Sequence, residues 1–352
     1  MDFSILFVPS TLHGTPERFG ELMEQVTAAE RLGYDGVWFT EHHFSEYGRP
    51  EPLMMAAHAA ALTKRLRIGA AVVVLPLHNP VTVAEQVATL DHLCEGRFHF
   101  GMGRGNQPEE FRGYGVSLDE AKQRFDEAYA IMTGLWTNDT FSFEGEYWQV
   151  PEVRLVPRLR GGIPTLWQPA VSPPSVRWVI SKGINGLIGP YLTPFETLRT
   201  KFFEPWHQAV AEAGGPDVKL GHNQFVHVAP TDKQAYEEAE EASIWYARMA
   251  SRLWGERDRA KVSPQFAYMA EVLEFFERVT FDEIYEMSLI GSPKRVAEQV
   301  ERLRGYGVDE LLVFNWFGPQ MSHQTIMGSL ELFAQQVMPD FKGAAVEAGV
   351  AP

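Results

Sequence analysis

One phrase, written three times along the chain, limits what it can fold into. Arg31-Leu32-Gly33-Tyr34-Asp35-Gly36-Val37-Trp38-Phe39, Ser181-Lys182-Gly183-Ile184-Asn185-Gly186-Leu187-Ile188 and Arg304-Gly305-Tyr306-Gly307-Val308-Asp309-Glu310-Leu311-Leu312-Val313-Phe314 each read as helix end, glycine stop, short turn and buried strand. Glycine ends a helix because it takes the left-handed conformation without steric cost. A strand that is apolar throughout must be covered on both faces, which is the situation of a parallel sheet built from βα units. Further strands are predicted at Phe3 to Val8, Ile68 to Val74, Arg97 to Met102, Pro164 to Trp167 and His222 to Val228, alternating with segments of helical period. Eight such units predict a closed (β/α)8 TIM barrel rather than an open doubly wound sheet.

At 352 residues the chain is within the range of a single barrel domain. The expected domain is 1–342. Residues 232–290 break the rhythm, being long, polar and aromatic-rich, and are expected to be a helical insertion before the eighth strand with a lid over the barrel mouth. The tail 343–352 is expected to fray. The net charge of −15, from 31 basic and 46 acidic residues, repels phosphate backbones, so no nucleic-acid partner is expected. No stretch approaches the roughly 18 apolar residues of a membrane span. The N-terminus lacks the basic region and small-residue cleavage site of a signal peptide. With Cys94 as the single cysteine, a cytoplasmic protein is expected.

Barrel enzymes carry their chemistry at the C-terminal ends of the strands. There the sequence places Glu41-His42-His43 after strand two, His78-Asn79-Pro80 after strand three, Gly103-Arg104-Gly105-Asn106-Gln107 after strand four, Gln168 and Ser172-Pro173-Pro174-Ser175 after strand five, and Asn315-Trp316 after strand eight. Histidine is the natural acid or base near neutral pH, so His42 is a candidate for proton transfer or, alternatively, a structural histidine. Glu41 could orient it, although adjacent strand residues face opposite ways. No metal is expected, because neighbouring strand histidines do not converge on one ion and no His-x-His or HExxH spacing occurs. Gly101, Gly103 and Gly105 share a strand face, leaving room for a flat ligand or for close core packing. Arg104 suits a phosphate or carboxylate, or else a buried ion pair. The serine pair at a helix start is an anion site or an ordinary N-cap. Gly-Met-Gly-Arg-Gly-Asn is not a dinucleotide fingerprint, since its third glycine comes one residue early.

Taken together, Val-Trp-Phe-Thr-Glu-His-His-Phe (37–44), Ile-Gly-Ala-Ala-Val-Val-Val-Leu-Pro (68–76), His-Asn-Pro (78–80), Gly-Arg-Phe-His-Phe-Gly-Met-Gly-Arg-Gly (96–105), Glu-Phe-Arg-Gly-Tyr-Gly (110–115) and Gly-Ser-Pro-Lys-Arg-Val (291–296) resemble the bacterial luciferase-like flavin monooxygenases. The resemblance implies a barrel that uses reduced flavin mononucleotide (FMN) and dioxygen to oxygenate a small aldehyde, ketone or terpene-like molecule, with the reduced flavin supplied by a separate reductase and the chain working as a homodimer. It implies that His42 is the active-site histidine and Glu41 its carboxylate neighbour, that Ala71 and Val72 lie against the flavin ring, often through a cis peptide, and that Arg104, Ser172 and Ser175 hold the phosphate, with Gly103 beside them. Lys122 matches, more weakly, an arginine near the phosphate. Two departures, Gly103 where luciferase has a reactive cysteine and Val171 where it has an acid, argue against light emission. The same fold also serves deazaflavin-dependent oxidoreductases and could serve a non-catalytic flavin carrier. Pocket walls are expected from Phe7, His13, Trp167, Tyr191, Asn315, Trp316 and a lid around Trp245 to Phe276.

Overall fold

The computed structural model describes residues 1–8, 16–44, 51–252, 268–315 and 318–342. Eight parallel strands run β1 (Asp2–Phe7), β2 (Gly36–Phe39), β3 (Arg67–Val74), β4 (Phe98–Gly103), β7 (Thr165–Ala170), β8 (Asn185–Ile188), β9 (Leu220–Val228) and β11 (Glu310–Phe314). Each pairs with the next in that order, and β11 returns to β1, so the sheet is closed. The predicted TIM barrel is therefore the fold, and the three copies of the glycine-stop phrase deliver β2, β8 and β11. Gly33, Gly183 and Gly307 all have positive φ, as helix-stopping glycines should.

Three features differ from the expectation. A two-stranded antiparallel hairpin, β5 (Phe141–Glu144) and β6 (Gln149–Val153), sits between the helix Ala121–Thr137 and β7. Its strands are short and half exposed, so no buried run announces them. A three-residue strand, β10 (Leu289–Gly291), pairs with Val226–Val228, where β9 continues past its pairing with β11. The helical run 195–212 is not α-helical throughout, since Arg199–Phe203 between Phe195–Leu198 and Glu204–Glu212 is π-helical. Pro205 supplies no N–H for an α-helical bond across that junction.

The insertion consists, in its described residues, of the helices Asp232–Ala250, Tyr268–Arg278 and Phe281–Glu286. The middle of the expected lid (253–267), the wall candidates His13 and Trp316 and the tail 343–352 lie outside the described residues. Among the described residues no helix is long and apolar enough to cross a membrane.

The lower barrel is solid. Trp38 and Trp167 meet edge to face at 5.5 Å. Space for them comes from glycines on neighbouring strands: a Cβ on Gly69 would lie 2.1 Å from the Trp38 ring, and one on Gly221 2.9 Å from Trp167. Beneath them Glu310 is wholly buried. It accepts hydrogen bonds from Ser4 Oγ (2.7 Å), Trp38 Nε1 (3.2 Å) and Arg67 Nη1 (3.3 Å). With that end plugged, open space is left at the C-terminal mouth.

Two histidines, the buried His222 and the half-buried His99, make the fold sensitive to acid. Burial holds the His222 imidazole down to about 4, against opposing hydrogen bonds to Ile188 and Gly189 carbonyls. Burial also holds His99 down to about 3, helped by the charges of Arg67 and Lys219. The unfolded chain therefore takes up these protons first, near pH 6.5. Stability is complete above that value and is lost as the pH falls toward 4, by about 3 kcal/mol for His222 alone. Urea midpoints should drop over this window, and less steeply in His222→Asn, whose amide can still donate to the Ile188 carbonyl. Equal slopes for the two proteins would contradict the assignment.

Candidate active site

The pleat sorts the end of β2. Trp38, Thr40 and His42 point into the barrel, whereas Glu41 and His43 point outward to the helix layer. Thr40 and His42 accordingly line a cavity of about 610 Å³ at the barrel mouth, together with Leu6 and Val8 from β1, Ala71 and Val72 from β3, Asn106 and Gln107 past β4, and Leu312 and Phe314 from β11. Glu41 is not part of that wall. It is 2% exposed and is held on the opposite side of the strand.

A short helix, Pro108–Gly113, fixes His42. Its Glu110 is buried, and its Oε1 accepts from the His43 backbone N–H at 3.0 Å and lies 3.2 Å from His42 Nδ1. The Gln107 side-chain amide is 2.8 Å from the same nitrogen. The Nδ1 edge of the ring is thus held by the protein on the cavity wall. Sequence reasoning assigned Glu110 and Gln107 no role. Glu110 opens the Glu-Phe-Arg-Gly-Tyr-Gly motif and Gln107 ends the polar stretch after strand four, but only the fold brings a residue 68 positions away against His42.

Behind the strand, Glu41 Oε1 accepts from His43 Nε2 (2.8 Å) and His78 Nε2 (2.7 Å), and its Oε2 accepts from the Val74 backbone N–H (2.9 Å). Tyr114 donates to His43 Nδ1 at 3.3 Å. Burial alone would push the Glu41 carboxyl up, but the hydrogen bonds from His43 and His78 outweigh it and hold the group below its usual value. Burial would lower His78, but the Glu41 carboxylate raises it, with Glu51 adding to the effect.

The floor of the cavity is an irregular stretch of β3. The Ala71–Val72 peptide is cis, and the β3–β4 register slips between Ala70 and Val73. The alternating glycines of β4 admit this stretch. A Cβ on Gly101 would lie 2.1 Å from the Ala70 carbonyl oxygen, and one on Gly103 2.5 Å from a Val72 methyl. Part of the space implied by those glycines is thus filled by the neighbouring strand.

The expected anion-binding residues sit on adjacent strand ends, since β4 pairs with β7. Arg104 follows β4 and is exposed. Ser172 caps the helix Pro173–Ser181 reciprocally with Ser175: Ser172 N–H donates to Ser175 Oγ at 3.0 Å, and the two hydroxyls are 3.0 Å apart. The backbone of this helix start offers an anion few N–H groups. Pro173 and Pro174 have none, and the Ser175 N–H is turned to Ser172 Oγ. Lys122 is exposed and paired with Asp126 at 2.5 Å.

Of the expected wall residues, Tyr191 lines the cavity, its hydroxyl 2.7 Å from that of Tyr246. Phe7 instead stacks on Phe39 outside the barrel, and Leu6 and Val8 take its place. Trp167 and Asn315 are buried away from the cavity lining. The insertion contributes Ala250, Glu271, Val272, Leu273, Phe275 and Phe276.

A mostly apolar cavity over an irregular strand, with one imidazole held at its wall, is the site of a barrel enzyme acting on small molecules. The profile of the luciferase-like monooxygenases matches residues 1–310, and the chain belongs to that family of oxidoreductases. It is similar to the oxygenase component of the flavin-dependent trigonelline monooxygenase of Acinetobacter baylyi, at 25% identity over 94% of this chain and 91% of that protein. It is also similar to limonene 1,2-monooxygenase of Rhodococcus erythropolis, at 27% identity over 91% of this chain and 81% of that one. Among solved structures, the oxygenating constituent of 3,6-diketocamphane monooxygenase of Pseudomonas putida, in complex with FMN, shares the fold with a TM-score of 0.78. It is 22% identical over 96% of this chain and 98% of that chain.

The glycine packing can be tested directly. Gly101→Ala forces a methyl against the Ala70 carbonyl, so it should cost about 1–3 kcal/mol in urea unfolding, as overpacked cores do. Gly20→Ala, where a Cβ has open space, should be neutral or mildly stabilising. Equal effects of the two substitutions would refute the close approach of the strands.

Proposed function

We propose that this protein is the oxygenase of a two-component system, taking reduced FMN from a separate reductase and using dioxygen to oxygenate a small, uncharged, largely apolar molecule such as an aldehyde, ketone or terpene-like compound. The observation that carries this reading is the position of His42 on the wall of a cavity whose floor is Ala71 and Val72.

The residues fit the cofactor. The floor of small side chains, Ala71 and Val72, and the roughly 610 Å³ of space would accommodate a flavin ring with a guest molecule beside it. Arg104 beyond β4 would meet the phosphate, with the Ser172 and Ser175 hydroxyls turning from each other toward it and Gly103 keeping the strand end narrow. Bound reduced flavin supplies the electrons and activates dioxygen. The rest falls to the chain itself. His42 takes or gives a proton, with its Nδ1 edge oriented by either the Glu110 carboxylate or the Gln107 amide, according to the tautomer. Glu41 acts from behind as a positioning residue, securing His43 and the Val74 end of β3. Leu6, Val8, Leu187, Tyr191, Phe275 and Phe276 exclude water, and the helices of 232–290 serve as the lid of the single 1–342 domain. The described lining includes Glu271 and no lysine or arginine, which disfavours an anionic substrate.

The same reading places the protein in the cytoplasm, where reductases supply reduced flavin. We also propose a homodimer, with the exposed Met54 and Leu62 of the helix Pro52–Leu62 and Leu93 of the helix Pro80–Leu93 at the contact.

His42→Ala should lower the rate of substrate oxygenation by two or more orders of magnitude, the scale of general acid–base catalysis, while FMN affinity stays within about twofold. Unchanged turnover would remove His42 from the chemistry. Arg104→Ala should weaken FMN at least tenfold and riboflavin little, by titration of flavin fluorescence. Equal losses for both flavins would remove the phosphate role. Turnover with a reduced deazaflavin in place of reduced FMN, without oxygen uptake, would replace the oxygenase reading.

A further inference from the structure

The cluster behind β2 is more than a support for the strand. Glu41, His43 and His78 place two imidazole nitrogens and a carboxylate within 4.8 Å of one another. The His42–His43 pair argued against a metal because adjacent strand residues diverge. The fold pairs His43 instead with Glu41, two residues earlier on the same face, and brings in His78 from the turn after β3. We propose that Glu41, His43 and His78 form a binding site for a divalent transition-metal ion of the zinc or cobalt type, outside the flavin cavity.

Four observations support the assignment. The donor set of two neutral nitrogens and one carboxylate oxygen suits zinc-like ions and not calcium or magnesium, which take oxygen ligands. Two of the three ligands are already oriented by an outer partner: Tyr114 engages Nδ1 of His43, and the Val74 N–H engages the second oxygen of Glu41. Such outer-shell bonds are what fix ligand orientation in metal sites. A separate cavity of about 150 Å³ opens onto the cluster, lined by Glu41, Glu51, His78 and Asn79, and gives an entry path from solvent. Glu51 lies at the N-cap of the helix Pro52–Leu62 without making a side-chain cap, so its carboxylate is available as a fourth ligand beside His78.

The geometry needs a small adjustment. Nitrogen–oxygen separations of 2.7 and 2.8 Å are those of hydrogen bonds. Ligands at about 2.1 Å from a tetrahedral ion stand roughly 3.4 Å apart. Side-chain torsions of His78 and Glu41, which both border the small cavity, supply the difference, the first opening the His78–Glu41 separation and the second the His43–Glu41 separation. An ion here would tie the end of β2 to the turn that follows β3, on the opposite side of the strand from His42.

The experiment uses the full-length, tag-free protein, stripped with a chelator and titrated at pH 8 with cobalt(II) and then with zinc(II). Cobalt should bind with 1:1 stoichiometry, give visible d–d bands of a nitrogen- and oxygen-ligated site, and be displaced by zinc. Binding should be lost in His78→Ala and weakened about tenfold in Tyr114→Phe. It should persist in His42→Ala. Circular dichroism checks that each variant folds, and His78→Gln replaces His78→Ala if the latter does not. Absence of saturable binding to the wild-type protein, or equal binding by the folded His78 variant, would overturn the proposal. So would loss of binding in His42→Ala alone.

Discussion

A strand leaving the barrel alternates its side chains between lumen and helix layer, and at the end of β2 that pleat divides three consecutive polar residues between two compartments. His42 enters the mouth cavity. Glu41 and His43 face the other way and find each other at 2.8 Å. A buried carboxylate is expensive unless its oxygens are satisfied. Glu41 is satisfied by two imidazoles and by the Val74 N–H. The last of these bonds ties β2 to the end of the irregular stretch of β3 that floors the cavity. The position of the acid–base candidate and the shape of the floor thus depend on one carboxylate that is not part of the cavity wall.

The irregular floor has its own requirement on the far side. Ala71 and Val72 displace the β3–β4 register, and the space they take is available only because β4 carries glycine at 101 and 103. The lower barrel uses the same device with Gly69 and Gly221 to seat Trp38 and Trp167. Small residues in the strands are therefore matched to bulky or irregular neighbours layer by layer. The result is a barrel closed below by tryptophans and a buried Glu310 and open above.

Much of the fold was legible because glycine stops and apolar strands are local signals. The strands at Asn185–Ile188 and Glu310–Phe314 follow their glycine turns as read. The hairpin Phe141–Val153 carried no such signal because its strands are short and half exposed, and the three-residue β10 is stabilised by pairing with Val226–Val228, distant in sequence. At the site, His42 was legible from its place at a strand end. Which face each neighbour took was not: Phe7 was expected in the pocket, and Leu6 and Val8 occupy that position. Glu110, Gln107, Tyr114 and His78 were present in the motifs, but their roles come from contacts spanning tens of residues. The absence of a metal was argued from adjacent histidines. The structure poses a different pairing, which periodicity within one strand could suggest but could not complete.

The central claim is that this barrel inserts an atom of dioxygen into a small apolar guest at the expense of reduced FMN. The most direct measurement is product mass after turnover with reduced FMN under ¹⁸O₂, across a panel of aldehydes, ketones and terpenes. The account predicts a product that carries one ¹⁸O atom. Flavin oxidation with peroxide as the only oxygen product across the panel, or a product that draws its oxygen from water, would contradict it.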